Sequence, residues 1–131
     1  MVFHMKWHVP PPRTDPFYLG YAMGLIVGEG SFTGDARRGA LSLKLHQRDP
    51  GPFQLLRYVL GGRVYGPYTH SNRHYALYQL RGADLEAALP LFDRYLPPSY
   101  RREQYVRWRT RYFPHVPVSD VGHISFAGLD E

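Results

Sequence analysis

The stretch Phe17-Tyr18-Leu19-Gly20-Tyr21-Ala22-Met23-Gly24-Leu25-Ile26-Val27-Gly28-Glu29-Gly30-Ser31-Phe32 decides the fold. Asp15 suits an N-cap and Pro16 a first helical position, so a helix is expected from Pro16 to Gly28. Gly20, Gly24 and Gly28 recur at four-residue spacing and so fall on one face of it. Each interior glycine costs a helix roughly 1 kcal/mol relative to alanine. A bare stripe lets another backbone approach closely, as in tightly packed helix pairs. The helix ends at Glu29, beside its own unpaired carbonyls, where the macrodipole disfavours an anion. An acid there makes sense if it meets a cation.

Outward from this helix the pattern alternates. Ser31 to Arg37 reads as a strand, with a turn region over Asp35 to Gly39. Ala40 to Gln47 sets Leu41, Leu43 and Leu45 against Ser42, Lys44 and His46, the mark of a half-buried antiparallel strand. Asp49-Pro50 opens a second helix that Gly61-Gly62 stops. Arg63 to Tyr68 and Arg73 to Arg81 form a hairpin around Thr69 to Asn72. Asp84 to Tyr95 is a third helix, which Pro90 is expected to kink or restart. Ser99 to Phe113 is the last, and His123 to Phe126 suits one short strand. The fold class is therefore α+β, a four-stranded antiparallel sheet with helices on one face. The other face is left to water or a ligand. By parity it carries Thr33, Asp35 and Arg37, then Ser42, Lys44 and His46, then Arg63 and Tyr65. On the fourth strand Leu77 and Leu80 have opposite parity, and His74, Ala76 and Tyr78 are taken as outward. Arg38, Arg48, Asn72 and Arg73 complete the set. Such donors, acceptors and hydroxyls on a β-ribbon suit the major groove of DNA.

The nine residues Ala22 to Gly30, followed by Ser31-Phe32, resemble the signature helix of the LAGLIDADG homing endonucleases. The order and spacing of the later elements extend the resemblance over roughly Phe17 to Tyr112. Ala22 stands where the family has Leu, and Val27 where it commonly has an acid. The resemblance implies a saddle-shaped αββαββα core and places the metal-binding acid on Glu29. It also implies a water-ordering polar residue at Gln47 and a supporting basic residue at Arg101 or Arg102. The implied activity is hydrolysis of one phosphodiester on each DNA strand across the minor groove, leaving short 3′ overhangs. With a single signature helix, the second copy comes from a homodimer meeting on Gly20, Gly24 and Gly28. Two Glu29 carboxylates would then lie close together, and hydrated Mg²⁺ is the natural cation between them, with the Gly28 carbonyl as a further oxygen. Mn²⁺ is expected to substitute, and Ca²⁺ to support binding without cleavage. A strand of eight residues spans roughly 26 Å, about eight base pairs, so two sheets imply a near-palindromic site of roughly 16 to 20 pairs.

The chain has 131 residues and a formal charge of +5, unevenly placed. Between Ser31 and Arg81, Arg37, Arg38, Lys44, Arg48, Arg57, Arg63, Arg73 and Arg81 oppose only Asp35 and Asp49. Singly, a surface arginine is most often just solvated, but this concentration points to a polyanion. There is no cysteine, which excludes disulfides and thiolate metal sites. His4, His8, His70, His74, His115 and His123 lack zinc-ligand spacing. No apolar run approaches the roughly 20 residues of a membrane span, and no signal-peptide core is present. The expected location is intracellular, in the cytoplasm or an organelle, and no small-molecule cofactor beyond the metal is implied. The expected division is an N-terminal extension over 1–15, the domain over 16–113 and a tail over 114–131. Two other readings compete with the nuclease. One is a non-cleaving nucleic-acid-binding relative such as an intron maturase or a DNA-binding regulator. The other is an interaction domain that uses the glycine helix only to dimerise.

Overall fold

The structure is a computed structural model that describes residues 15–46 and 50–118. Its elements are α1 (Pro16–Glu29), β1 (Gly30–Gly34), β2 (Gly39–His46), α2 (Pro50–Leu60), β3 (Arg63–His70), β4 (Arg73–Leu80), α3 (Gly82–Tyr95) and α4 (Tyr100–Tyr112). The four strands form one antiparallel sheet in the order β1-β2-β4-β3. All four helices cover a single face of it, as the α+β reading requires. The extension before Asp15, the strand expected at His123 to Phe126, and Gln47, Arg48 and Asp49 lie outside the described residues.

Asp15 caps α1 as expected, its carboxylate accepting from the Phe17 N–H at 2.9 Å. The buried side of α1 is Leu19, Ala22, Met23 and Ile26, packed on Phe32, Leu41 and Leu43 from the sheet. The helix stops where Gly30 turns into β1, with the Gly30 N–H still bonded to the Ile26 carbonyl. A Cβ on Gly30 would lie 2.6 Å from that carbonyl oxygen, so only glycine lets the chain pass straight from helix to strand. At the end of α2, Gly61 and Gly62 take φ of 83° and 87°, the left-handed conformation that closes helices. Ser71 and Asn72 form the two-residue β3–β4 turn, both at positive φ. That turn is tighter than the loop expected over Thr69 to Asn72, and both strands run further toward it.

Pro90 neither kinks nor restarts α3, which continues through it as one helix. The proline lies on the exposed side, so it forgoes one backbone bond without disturbing the core contacts of Leu85, Ala88, Leu89 and Phe92. Beneath the sheet, Phe32 meets Phe92, Tyr105 and Trp108 with ring centroids 5.0–5.6 Å apart. No helix among the described residues is long and apolar enough to cross a membrane.

Candidate nucleic-acid interface

Strand register fixes which side chains the open face carries. Ser31 pairs with Ser42, Ser42 with Gln79, and Gln79 with Arg63. These four form one row across the sheet, roughly 14 Å wide at three strand spacings. The next row is Lys44, Leu77 and Tyr65, and the one after it His46, Tyr75 and Tyr68, beyond a bulge in β3. Lys44 lies 5.4 Å from the Tyr75 ring centroid, and the Gln79 carbonyl accepts from Arg81 at 2.5 Å. The sequence-based set is thus confirmed in orientation for Ser42, Lys44, His46, Arg63 and Tyr65, with Thr33 joining them beside Ala40.

The assignment on β4 is overturned. Tyr78 is fully buried, stacked 5.9 Å from Phe53, with its hydroxyl donating to the Gly61 carbonyl at 2.7 Å. Burial pushes its ionisation well above the ordinary phenol value. Leu80, also fully buried, sets the parity, because its partner Leu41 and Tyr78's partner Leu43 both face the helices. His74 and Ala76 share that side of the strand. The residues turned outward are Tyr75, Leu77 and Gln79, which sequence reasoning missed. The available signal was Gln79, a polar residue between two apolar ones.

Asp35 and Arg37 leave the strand as well. β1 ends at Gly34, and the Asp35 carboxylate accepts from the backbone N–H groups of Arg37 and Arg38, both at 2.7 Å. Those two bonds hold its pKa below the usual carboxylate range. Asp35 builds the turn, and Arg37 and Arg38 project from it, exposed. Asn72 sits in the β3–β4 turn and Arg73 at the start of β4, both exposed.

At the other end of β1 lies the acid. Glu29 is the last residue of α1, exposed, and no side chain among the described residues bonds its carboxylate. The Phe32 N–H, which would cap the Gly28 carbonyl if the helix continued, instead donates to Gln104 Oε1 at 3.0 Å. Gln104 begins a ladder along one face of α4. Trp108 Nε1 donates to the Thr33 carbonyl and the Tyr112 hydroxyl to the Asp35 carbonyl, each at 2.7 Å. Side chains at i, i+4 and i+8 thereby clamp the edge strand that follows Glu29. The same face continues back to Arg101, whose Nη1 donates to Gln104 Oε1 at 2.8 Å. Its Nε is buried without a partner. Arg101 therefore sits at the start of β1, beside the strand into which Glu29 leads.

Arg102 is removed from the catalytic set. Its guanidinium donates to the carbonyls of Phe92, Asp93 and Leu96, closing the end of α3. One helical step of 100° separates the two arginines, which the sequence alone left equivalent. Gln47, the candidate water-ordering residue, and Arg48 lie outside the described residues. Among the described residues no cluster of three or more His, Asp or Glu is placed to hold a metal. One carboxylate and one helix-end carbonyl suit a hard cation in kind but are too few in number for six oxygen ligands. A single protomer carries half of such a donor set.

Glycines 20, 24 and 28 line an exposed face of α1 with Phe17 and Tyr21. A Cβ added at any of the three would meet nothing within 4 Å. No packing inside the chain asks for them.

No protein-family model matches the sequence, and no curated protein matches it. Solved structures do. The homing endonuclease I-TnaI superposes with a TM-score of 0.59 at 19% identity, over 70% of this chain and 68% of that one. I-SmaMI bound to cleaved DNA, named there as a LAGLIDADG homing endonuclease, superposes with a TM-score of 0.58 at 19% identity. The fold is that of the LAGLIDADG homing endonucleases. I-SmaMI bound to an uncleaved DNA target in the presence of calcium ions gives 0.55 at 21% identity, over 76% of this chain. The chain spans about a third of I-SmaMI, 34% and 36% of its length in those two structures.

Proposed function

We propose that the protein is a site-specific double-strand DNA endonuclease that works as a homodimer on a long, near-palindromic site. The glycine face of α1 carries this reading. Three glycines cost the helix roughly 3 kcal/mol in propensity and accommodate nothing within the protomer. A second copy packed on that face recovers the cost through close backbone contact and a two-fold interface. The same packing brings two Glu29 carboxylates and two Gly28 carbonyls together under the open sheet faces. It also completes the oxygen set that one protomer lacks.

Mg²⁺ is the proposed ion, held by Glu29 and Gly28 of both copies. When bound it supplies Lewis acidity toward a phosphodiester and its attacking water. Arg101 is placed to stabilise charge on the phosphate, its orientation set by Gln104. The outward rows from Ser31 to Tyr68 hold the duplex and read base edges.

The test is incubation with a plasmid bearing the sequence that flanks the gene, in Mg²⁺ and then in Ca²⁺. Cleavage in Mg²⁺ and binding alone in Ca²⁺ are expected. Glu29→Gln should abolish cleavage while largely sparing affinity, and retained turnover in that variant refutes the metal assignment. Val27, where the resembled motif commonly has an acid, favours a second reading as a non-cleaving DNA binder. Tight binding without nicking in Mg²⁺ would establish it.

A further inference from the structure

β2 ends at His46, paired with Tyr75, while the β3–β4 hairpin runs on through Arg73 and His70. The step leaves an open notch of about 560 Å³ at the far end of the sheet. Lys44, His46, His70, Arg73 and His74 line it, with Asn72, Leu45 and Tyr75. All five basic side chains are exposed, and no acidic side chain lines the recess among the described residues. Tyr75 forms its floor, under the Lys44 ammonium and 5.5 Å from the Tyr68 ring. Thr69 Oγ1 lies 3.0 Å from His74 Nδ1, which leaves Nε2 as the ring nitrogen for a ligand.

Three histidines gathered with two permanent cations around one concavity are unsuited to a metal. They suit a phosphate. We propose that the notch is a proton-linked clamp for a backbone phosphate of duplex DNA, so that the grip at the sheet's outer end tightens as pH falls. This rests on the DNA-binding reading above and adds to it which contact is tunable. The chemistry follows from the side chains. Lys44 and Arg73 stay charged throughout the neutral range, and imidazole is the side chain that ordinarily changes charge between about pH 5 and 8. A phosphate oxygen among the rings favours the protonated form, so binding takes up protons. Each imidazolium so formed neutralises further phosphate charge and releases counterions. The phosphodiester keeps its charge over the same range, which puts the titration on the protein.

The test measures affinity for a random-sequence duplex of about 20 base pairs across a salt series at about pH 6 and about pH 8. Backbone contacts need no target sequence. Wild-type protein should bind about tenfold or more tightly at the lower pH, with a salt slope steeper by up to about 0.9 per histidine engaged. The triple variant His46→Gln, His70→Gln, His74→Gln should lose both differences and keep the affinity seen at the higher pH. In parallel, NMR titration of wild-type histidines should show their midpoints rising when duplex is added, independently of any variant's folding. Equal wild-type affinity at both pH values overturns this inference alone, as does a pH effect that survives in the triple variant. Failure of the wild type to bind duplex at any pH overturns the DNA-binding reading and this inference together.

Discussion

The two sides of the sheet use the same residue types to opposite ends. Under it, Arg109 is almost fully buried and paired with Asp93 through Nε at 2.8 Å and Nη2 at 2.9 Å. Its remaining donors reach the carbonyls of Phe113, Val116 and Pro117, tying the chain after α4 to the core. Tyr105 donates to the same carboxylate, and Arg102 closes α3. On the open face, Arg63, Arg73, Arg81 and Lys44 are exposed, and only light contacts with Gln79 and Tyr75 engage two of them. A charge counted in the sequence is thus either consumed by the fold or left for a partner. The arginines of α4 look as basic as those of the sheet, yet two of them are structural.

Breaking the buried side should have the largest effect. Arg109→Met leaves the Asp93 carboxylate buried without its cation, which typically destabilises by about 3–5 kcal/mol. Urea unfolding should show that loss, while DNA affinity per folded molecule stays near wild type. Next comes an alkaline limit. Burial pushes the Tyr78 and Tyr105 hydroxyls far above the ordinary phenol value, Tyr105 further aided by its bond to Asp93. A raised folded value means stability is fully present below the unfolded pKa of about 10 and falls as pH rises beyond it. The slope should reach about 1.4 kcal/mol per pH unit for each of the two tyrosines. Denaturation followed from about pH 9 to 11 checks it. Tyr78→Phe should cost about 1–2 kcal/mol, because the Gly61 carbonyl loses its donor in a dry site. A change in DNA affinity without a change in stability would instead return Tyr78 to the open face.

Tyr78 also marks where the sequence stopped being legible. Local rules gave the helix caps, the element order and the alternation of β2, because each depends on residues within a few positions. β4 alternates ambiguously, since Leu77 and Leu80 each claim the core. Only pairing with Leu41 and Leu43 of a distant strand decides between them. The acid at Glu29 was readable because three glycines and a helix end announce it. Arg101 and Arg102 were not separable, since their roles depend on which neighbour α4 meets on each face. Gln104 gave no signal at all. An amide in a helix is ordinary until an edge strand presents an N–H to it.

The smallest expected effect gives the sharpest test of the contrast between the two sides. Lys44 lies in the middle row of the open face, over Tyr75 and opposite Leu77. If that face tracks a duplex, Lys44→Ala should remove one phosphate contact and lower the salt slope of binding by about 0.9. Base preference should be unchanged, because a single ammonium positions the backbone without reading sequence. Stability should also be unchanged, since nothing buried depends on Lys44. Arg109→Met makes the opposite pair of predictions, a large stability loss with an unaltered slope. Measuring both variants by denaturation and by salt titration yields four numbers. Equal slopes for the two proteins would place DNA binding on some surface other than the sheet, whatever their stabilities.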